Sequence, residues 1–145
     1  MAKMLEMIRM VQRSELPPPL WRRRSASPFD SVEPGRVVME MEAGLQHTSP
    51  LGTVHGGVLC DLADAAMGMA YASALDEGET FTSLELKINF LKPVWSGKLT
   101  ATGQVVKTGR TVGLVGCDVH DEKQSLVARA SSTCMTLRGD QARGR

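Results

Sequence analysis

The sequence predicts an α+β fold in which a curved antiparallel sheet of five strands wraps one long central helix, with a further helix ahead of it. Three observations carry this. Only one long helical pattern occurs, Thr53–Leu75, and it has almost no polar face, so other elements must cover it. Phe81–Leu91 alternates, with Leu84, Leu86, Ile88 and Phe90 on one face and Glu85, Lys87 and Asn89 on the other. Three more strand-like runs follow at hairpin distance, which implies an antiparallel meander.

The elements can be justified in chain order. Ala2–Glu15 reads as an amphipathic helix: Met4, Leu5, Ile8 and Val11 interleave with Lys3, Glu6 and Arg9. Pro17-Pro18-Pro19 ends it, because proline lacks the amide hydrogen that a helix interior needs. A basic connector containing Ser, Pro and Arg22-Arg23-Arg24 runs on to Asp30. Arg36–Glu42 is the first strand. The central helix is built on Ala63, Ala65, Ala66, Ala70, Ala72 and Ala74, with Leu59, Leu62, Met67 and Met69 between them. After Phe81–Leu91, Pro93 and Ser96-Gly97 make a turn into Lys98–Lys107. Thr108-Gly109-Arg110 turns into Thr111–His120, and Asp121–Gln124 into Ser125–Leu137. The expected division is an N-terminal helix and connector over 1–30, the main domain over 31–138 and a disordered tail over 139–145. One sheet on one helix leaves the other sheet face to be covered, and pairing with a second copy is a common solution.

The totals exclude several classes. Seventeen Lys and Arg against sixteen Asp and Glu leave no basic face for nucleic acid. Cys60, Cys117 and Cys134 are odd in number and widely spaced, which supports neither a zinc site nor a disulfide framework. Reduced thiols and a cytoplasmic location are the expectation. The N-terminal helix carries charges throughout, unlike a signal peptide, and no apolar run is long enough to span a membrane.

The chemistry centres on Thr53–Gly68, TVHGGVLCDLADAAMG. His55-Gly56-Gly57 stands where the helix begins. The first amides of a helix have no intrahelical acceptor, and the helix dipole adds partial positive charge there. Glycine lets a ligand come close to those amides, so such an end can receive a carbonyl oxygen that becomes an oxyanion. Asp64 stands nine positions after His55, too far along its own helix to meet that end. Two antiparallel helices across a dimer could bring the Asp64 of one copy near the Gly56 end of the other. A plain turn with a helix cap remains the simpler reading of His-Gly-Gly. Asp61 fits a solvated position or a partner of the helix dipole, Cys60 a small buried residue, and His47 and His120 the surface.

SPLGTVHGGVLCDLADAAMG, followed by TSLELKINFLKPVWSGKLTATGQVVKTGR, resembles the hotdog-fold acyl-CoA thioesterases of the PaaI type, from about Gly35 to Leu137. The resemblance implies a hydrolase for acyl-CoA thioesters, with aryl or medium-chain acyl groups expected. It implies no metal and no bound cofactor, coenzyme A being part of the substrate. It also implies a homodimer with a continuous sheet, often paired into a tetramer. Residue by residue, Gly56 matches the oxyanion donor, Gly57 the glycine after it, and His55 the motif histidine that holds the loop. Asp64, from the other subunit, matches the acidic residue that activates water or attacks directly. Ser83 matches a hydroxyl that places the water, with Thr82 the neighbouring alternative. Ser49 stands where many members carry a substrate-positioning asparagine. Lys107 and Arg110 become candidates for holding coenzyme A phosphates. Leu59, Ala63 and Met67 are the helix residues expected along the acyl pocket. A non-hydrolytic acyl-CoA-binding protein is the alternative. A hydratase is disfavoured, because no aspartate stands five residues before His47, His55 or His120.

Overall fold

A computed structural model of the chain describes residues 2–13, 15 and 29–144. Its elements are helix α1 (Ala2–Gln12), strands β1 (Phe29–Glu33) and β2 (Arg36–Ala43), the long helix α2 (Gly56–Ser73), and strands β3 (Thr80–Phe90), β4 (Gly97–Thr108), β5 (Val112–Asp121) and β6 (Leu126–Leu137). Short 3-10 turns occupy Leu45–His47 and Gly139–Ala142. The strands form one six-stranded antiparallel sheet in the order β1-β2-β4-β5-β6-β3.

The sheet therefore has six strands where the sequence indicates five. The added strand is β1, Phe-Asp-Ser-Val-Glu, which begins inside the stretch read as connector. Three of its five residues are polar, so it has no clean alternation, yet Phe29 and Val32 are buried and a bulge separates Phe29 from Ser31. Pro34-Gly35 turns it into β2, with Gly35 at φ 76°, a left-handed conformation that glycine adopts without strain. The polyproline stop and the Arg22-Arg23-Arg24 cluster lie outside the described residues. Helix α1 ends three residues before Glu15, the end expected for it. It is also no appendage: Leu5 and Ile8 are buried in the same core as Phe29, Val32 and the long helix. Part of the tail read as disordered carries the 3-10 turn at Gly139–Ala142.

Helix α2 lies against the concave face of the sheet. Leu62, Ala63, Ala66, Met67, Ala70 and Tyr71 of the helix are buried against Leu99, Ala101, Val115, Val119, Val127, Ala128 and Ala130 of the strands. The fit depends on small side chains. A Cβ on Gly103 of β4 would fall 2.3 Å from the backbone oxygen of Ala66, so helix backbone rests directly on strand backbone. At Gly113 of β5 a Cβ would fall 2.5 Å from the Tyr71 ring. The polar groups that α2 carries inward are satisfied. Tyr71 Oη and Thr136 Oγ1 share a hydrogen bond of 2.7 Å, and Ser73 Oγ donates to Ala70 O at 2.7 Å while accepting from Gly35 N–H at 2.9 Å.

Because backbone, not a flexible side chain, occupies the space beside Gly103, Gly103→Ala cannot be absorbed by a rotamer change. It is expected to destabilise the fold by about 3 kcal/mol or more, from overpacking. A urea titration checks this; an unchanged midpoint would show that the helix can lift from the strand.

Candidate active site

The long helix begins under tight local control. His55 is the N-cap, extended at φ −63° and ψ 135°, and its Nδ1 accepts from Gly57 N–H at 2.9 Å. Val58 N–H donates to His55 O at 2.9 Å. Gly56 N–H finds no acceptor among the described residues. The helix start thus presents one free donor, Gly56, beside one that its cap has taken, Gly57. The preceding loop is laced to this point. His55 N–H donates to His47 O at 2.8 Å, Val54 N–H to Val94 O at 2.7 Å, and Ser49 N–H to Thr53 O at 2.7 Å. Ser49 Oγ accepts from Leu51 N–H at 3.2 Å, so this hydroxyl closes the turn at Ser49–Gly52.

His47 is buried, not at the surface. Its Nδ1 accepts from Gly44 N–H at 3.1 Å, and its Nε2 has no partner among the described residues. The sequence carries no periodicity in this loop that would have revealed the burial.

Farther along, α2 turns one stripe away from the core. Asp61, Asp64, Ala65, Gly68 and Met69, at helical spacings of three and four, line a cleft of about 310 Å³ with Phe81 and Ser83 of β3. Ser83 and Asp64 are therefore in one cleft of one copy. Thr82 pairs with Met135 while its neighbours Phe81 and Ser83 pair with the buried Thr136 and Cys134, so Thr82 faces the opposite side of the sheet. A bulge between Ser83 and Glu85 follows at once and takes Leu84 out of the apolar row expected for it. Leu59, Ala63 and Met67, expected along the pocket, are instead buried in the core. One-turn spacing puts them on the other side of the helix from Asp61 and Asp64.

Asp64 reaches solvent in the cleft, yet its carboxyl is raised above the ordinary aspartate range, first by partial burial and then by the negative charge of Asp61. Both effects disfavour the ionised form and make it, once ionised, a stronger base. The Cys60 thiol is raised as well, by burial and then by Asp64 and Asp61. Cys134, behind Ser83, is raised mainly by burial. Among the described residues no cluster of three or more His, Cys, Asp or Glu is arranged to hold a metal ion, and no helix is long and apolar enough to cross a membrane.

Lys107 and Arg110 sit at the β4–β5 hairpin, exposed and outside every ion pair found among the described residues. Met135 pairs with both Thr82 and Val112, so this hairpin lies two strands from the Ser83 end of β3. Gly56 lies at the other end. A Cβ on Gly56 would meet the Phe90 ring, and one on Gly68 would meet Phe81 at 3.5 Å, so α2 runs antiparallel to β3. Within one copy Gly56 and Asp64 are eight helical residues apart, about 12 Å along the axis.

Comparison with known proteins decides the family. The model of the thioesterase superfamily matches residues 51–128, from just before His55 into β6. The chain belongs to this superfamily. It is a thioester hydrolase of the PaaI-type hotdog group, with the long helix as filling and the curved sheet as wrapper. Human acyl-coenzyme A thioesterase 13 is 30% identical over 71% of this chain and 74% of its own length. The 1,4-dihydroxy-2-naphthoyl-CoA hydrolase of Listeria monocytogenes is 29% identical over 71% of this chain and 84% of its own. The PaaI protein of E. coli superposes with a TM-score of 0.81 over 94% of this chain and 98% of its own, at 24% identity, a likeness of fold.

If Asp61 raises Asp64 electrostatically, Asp61→Asn should lower the Asp64 pKa. Where Asp64 is the group that must ionise for turnover, the acid limb of the kcat/KM profile for thioester hydrolysis should then move to lower pH, by up to about 1 unit for a partly solvated like-charge pair. An acid limb that stays in place would remove Asp61 from the electrostatics of the site.

Proposed function

We propose that the chain hydrolyses acyl-CoA thioesters as a homodimer, each site combining the Gly56 end of one copy with the Asp64 cleft of the other. The observation that carries this reading is the antiparallel course of α2 and β3. Strand β3 is an edge strand of eleven residues, bonded only to β6 and exposing Leu84 and Phe90, with Leu91 exposed just after it. A two-fold pairing of two such edges is necessarily antiparallel and isologous. It sets the Phe90 end of one strand beside the Phe81–Ser83 end of the other. The free Gly56 donor then comes to the cleft of a second Asp64, removing the 12 Å gap present in one copy.

In such a site the thioester carbonyl oxygen accepts from Gly56 N–H. His55 fixes the helix start by holding Gly57. Asp64 of the second copy takes a proton from a water that Ser83 orients, as the water oxygen adds to the carbonyl carbon; in the alternative, Asp64 attacks that carbon itself, and the same water then hydrolyses the mixed anhydride left when the thiolate departs. The tetrahedral oxyanion collapses, the C–S bond breaks, and the coenzyme A thiolate leaves and is protonated. The free acid is the other product. Ser49 contributes by fixing the turn before His55, and Lys107 and Arg110 hold the phosphates at the Ser83 end of the sheet. The relatives named for acyl-CoA and naphthoyl-CoA substrates support this substrate class, with aryl or medium-chain acyl groups. Exposed Val106, Val112 and Leu114 on the outer sheet face support a further pairing of dimers into a tetramer.

Complementation tests the composite site. Gly56→Pro removes the donor at the first helical position, which tolerates proline, behind an extended His55 that suits a following proline. The half-exposed Phe90 ring must swing aside for it. Alone, Gly56→Pro should lose about 10²–10³-fold in kcat and Asp64→Ala at least as much. Random co-assembly of the two should restore about a quarter of wild-type activity, since half the dimers carry one intact site of two. No recovery in confirmed mixed dimers would place both groups in one copy, and binding of acyl-CoA without turnover by the wild type would overturn the reading.

For the phosphate contacts, Arg110→Ala should weaken inhibition by free coenzyme A several-fold at low salt and flatten its salt dependence. Unchanged inhibition at both salt levels would leave the hairpin as a solvated turn.

A further inference from the structure

The Gly56 donor has a close neighbour that its chemistry does not require. Phe90 pairs with the buried Ala128, which turns its ring to the helix side of the sheet. There the tip of the ring covers Gly56: a Cβ on that residue would lie 2.9 Å from Cζ and 3.3 Å from both Cε atoms. Most aromatic rings in such contact belong to a core. This one does not: Phe90 is 54% exposed and stands apart from the buried cluster. An apolar ring with half its surface uncovered thus stands beside a backbone donor with no acceptor of its own.

We propose that Phe90 is the wall of the acyl subsite at the thioester carbonyl and fixes how much bulk the acyl group carries on the carbon next to it. The proposal rests on the reading of Gly56 as oxyanion donor. A carbonyl oxygen bonded to Gly56 N–H lies about 3 Å from that nitrogen. With that oxygen on the ring side of the amide, the carbonyl carbon and the first acyl carbon come beside the ring tip. A flat aryl group or a straight chain can run along the ring and cover its apolar surface. A carbon bearing two or three further methyl branches at that position meets the ring instead. The favoured class is therefore aryl and unbranched acyl groups, and the rejected class is α-branched acyl groups of the same size. Gly56 has the matching requirement: without a side chain it leaves the ring room to stand this close to the donor.

The test compares hexanoyl-CoA with 2,2-dimethylbutanoyl-CoA, which has the same carbon count but is branched beside the carbonyl. Wild type, Phe90→Leu and Phe90→Ala are measured, each with its oligomeric state by sedimentation. The expected result is a branched-to-straight kcat/KM ratio that rises about tenfold in Phe90→Ala, with Phe90→Leu between, the scale on which a hydrophobic pocket separates substrates differing by a methyl or methylene group. Equal losses on both substrates, or dissociation of the assembly with an unchanged ratio, would overturn the proposal and make Phe90 a packing residue between copies. Failure of the underlying reading has a different signature: Gly56→Pro would keep its activity on both thioesters.

Discussion

The seating of α2 on the sheet is the contact on which the rest depends. At Gly103 a strand passes so close beneath the helix that no side chain fits between them. That approach fixes the depth of the helix. The alanine-rich face of α2 follows from it, because larger residues would hold the layers apart. The direction of the helix, opposite to β3, shows in the approach of Gly56 to Phe90 and of Gly68 to Phe81. The cleft with Asp64 and Ser83, at mid-helix, and the donor at Gly56, at its start, are then held a fixed distance apart on a rigid rod. The candidate catalytic parts are thus placed by packing, and the loop before His55 only trims the geometry at one end.

Much of this was legible in the residues. The alanine run announced a helix meant for close approach, period-two alternation announced β3, and turn residues at hairpin spacing announced β4, β5 and β6. Strand β1 escaped because Phe-Asp-Ser-Val-Glu has only two apolar residues, and its bulge breaks their alternation. The burial of His47 escaped because a loop has no period to read. The outward stripe of α2 was visible only as two aspartates in an apolar helix. Its partner wall on β3 depends on a register and a bulge that pairing with β6 decides. That same register separates Ser83 from Thr82, which sequence alone left as alternatives. Placing Leu59, Ala63 and Met67 along the pocket failed for a related reason: they share the helix with Asp64 but not its face.

The electrostatics of the cleft follow from what surrounds it. Among the described residues no cation is paired with Asp64, and the charge that acts on it is another carboxylate one turn earlier. Elsewhere several acids are bridged and held below their ordinary range: Asp118 by Arg129 at 2.6 Å, Asp121 by Lys92 at 2.6 Å, and Glu79 by the Asp76 backbone amide together with Arg138 at 2.6 Å. A carboxylate left unbridged on an apolar wall is costly for folding and useful for chemistry, since a base neutralised by a salt bridge is a poor base.

The opposed course of helix and edge strand has a consequence for supply. If half a turn of rotation completes the chemistry, active centres arise only in twos, and each pair appears at the moment two chains meet. Turnover per chain then becomes a property of concentration, governed by mass action. A dilute solution of perfectly folded chains would be nearly inert, and doubling the chains would more than double the rate.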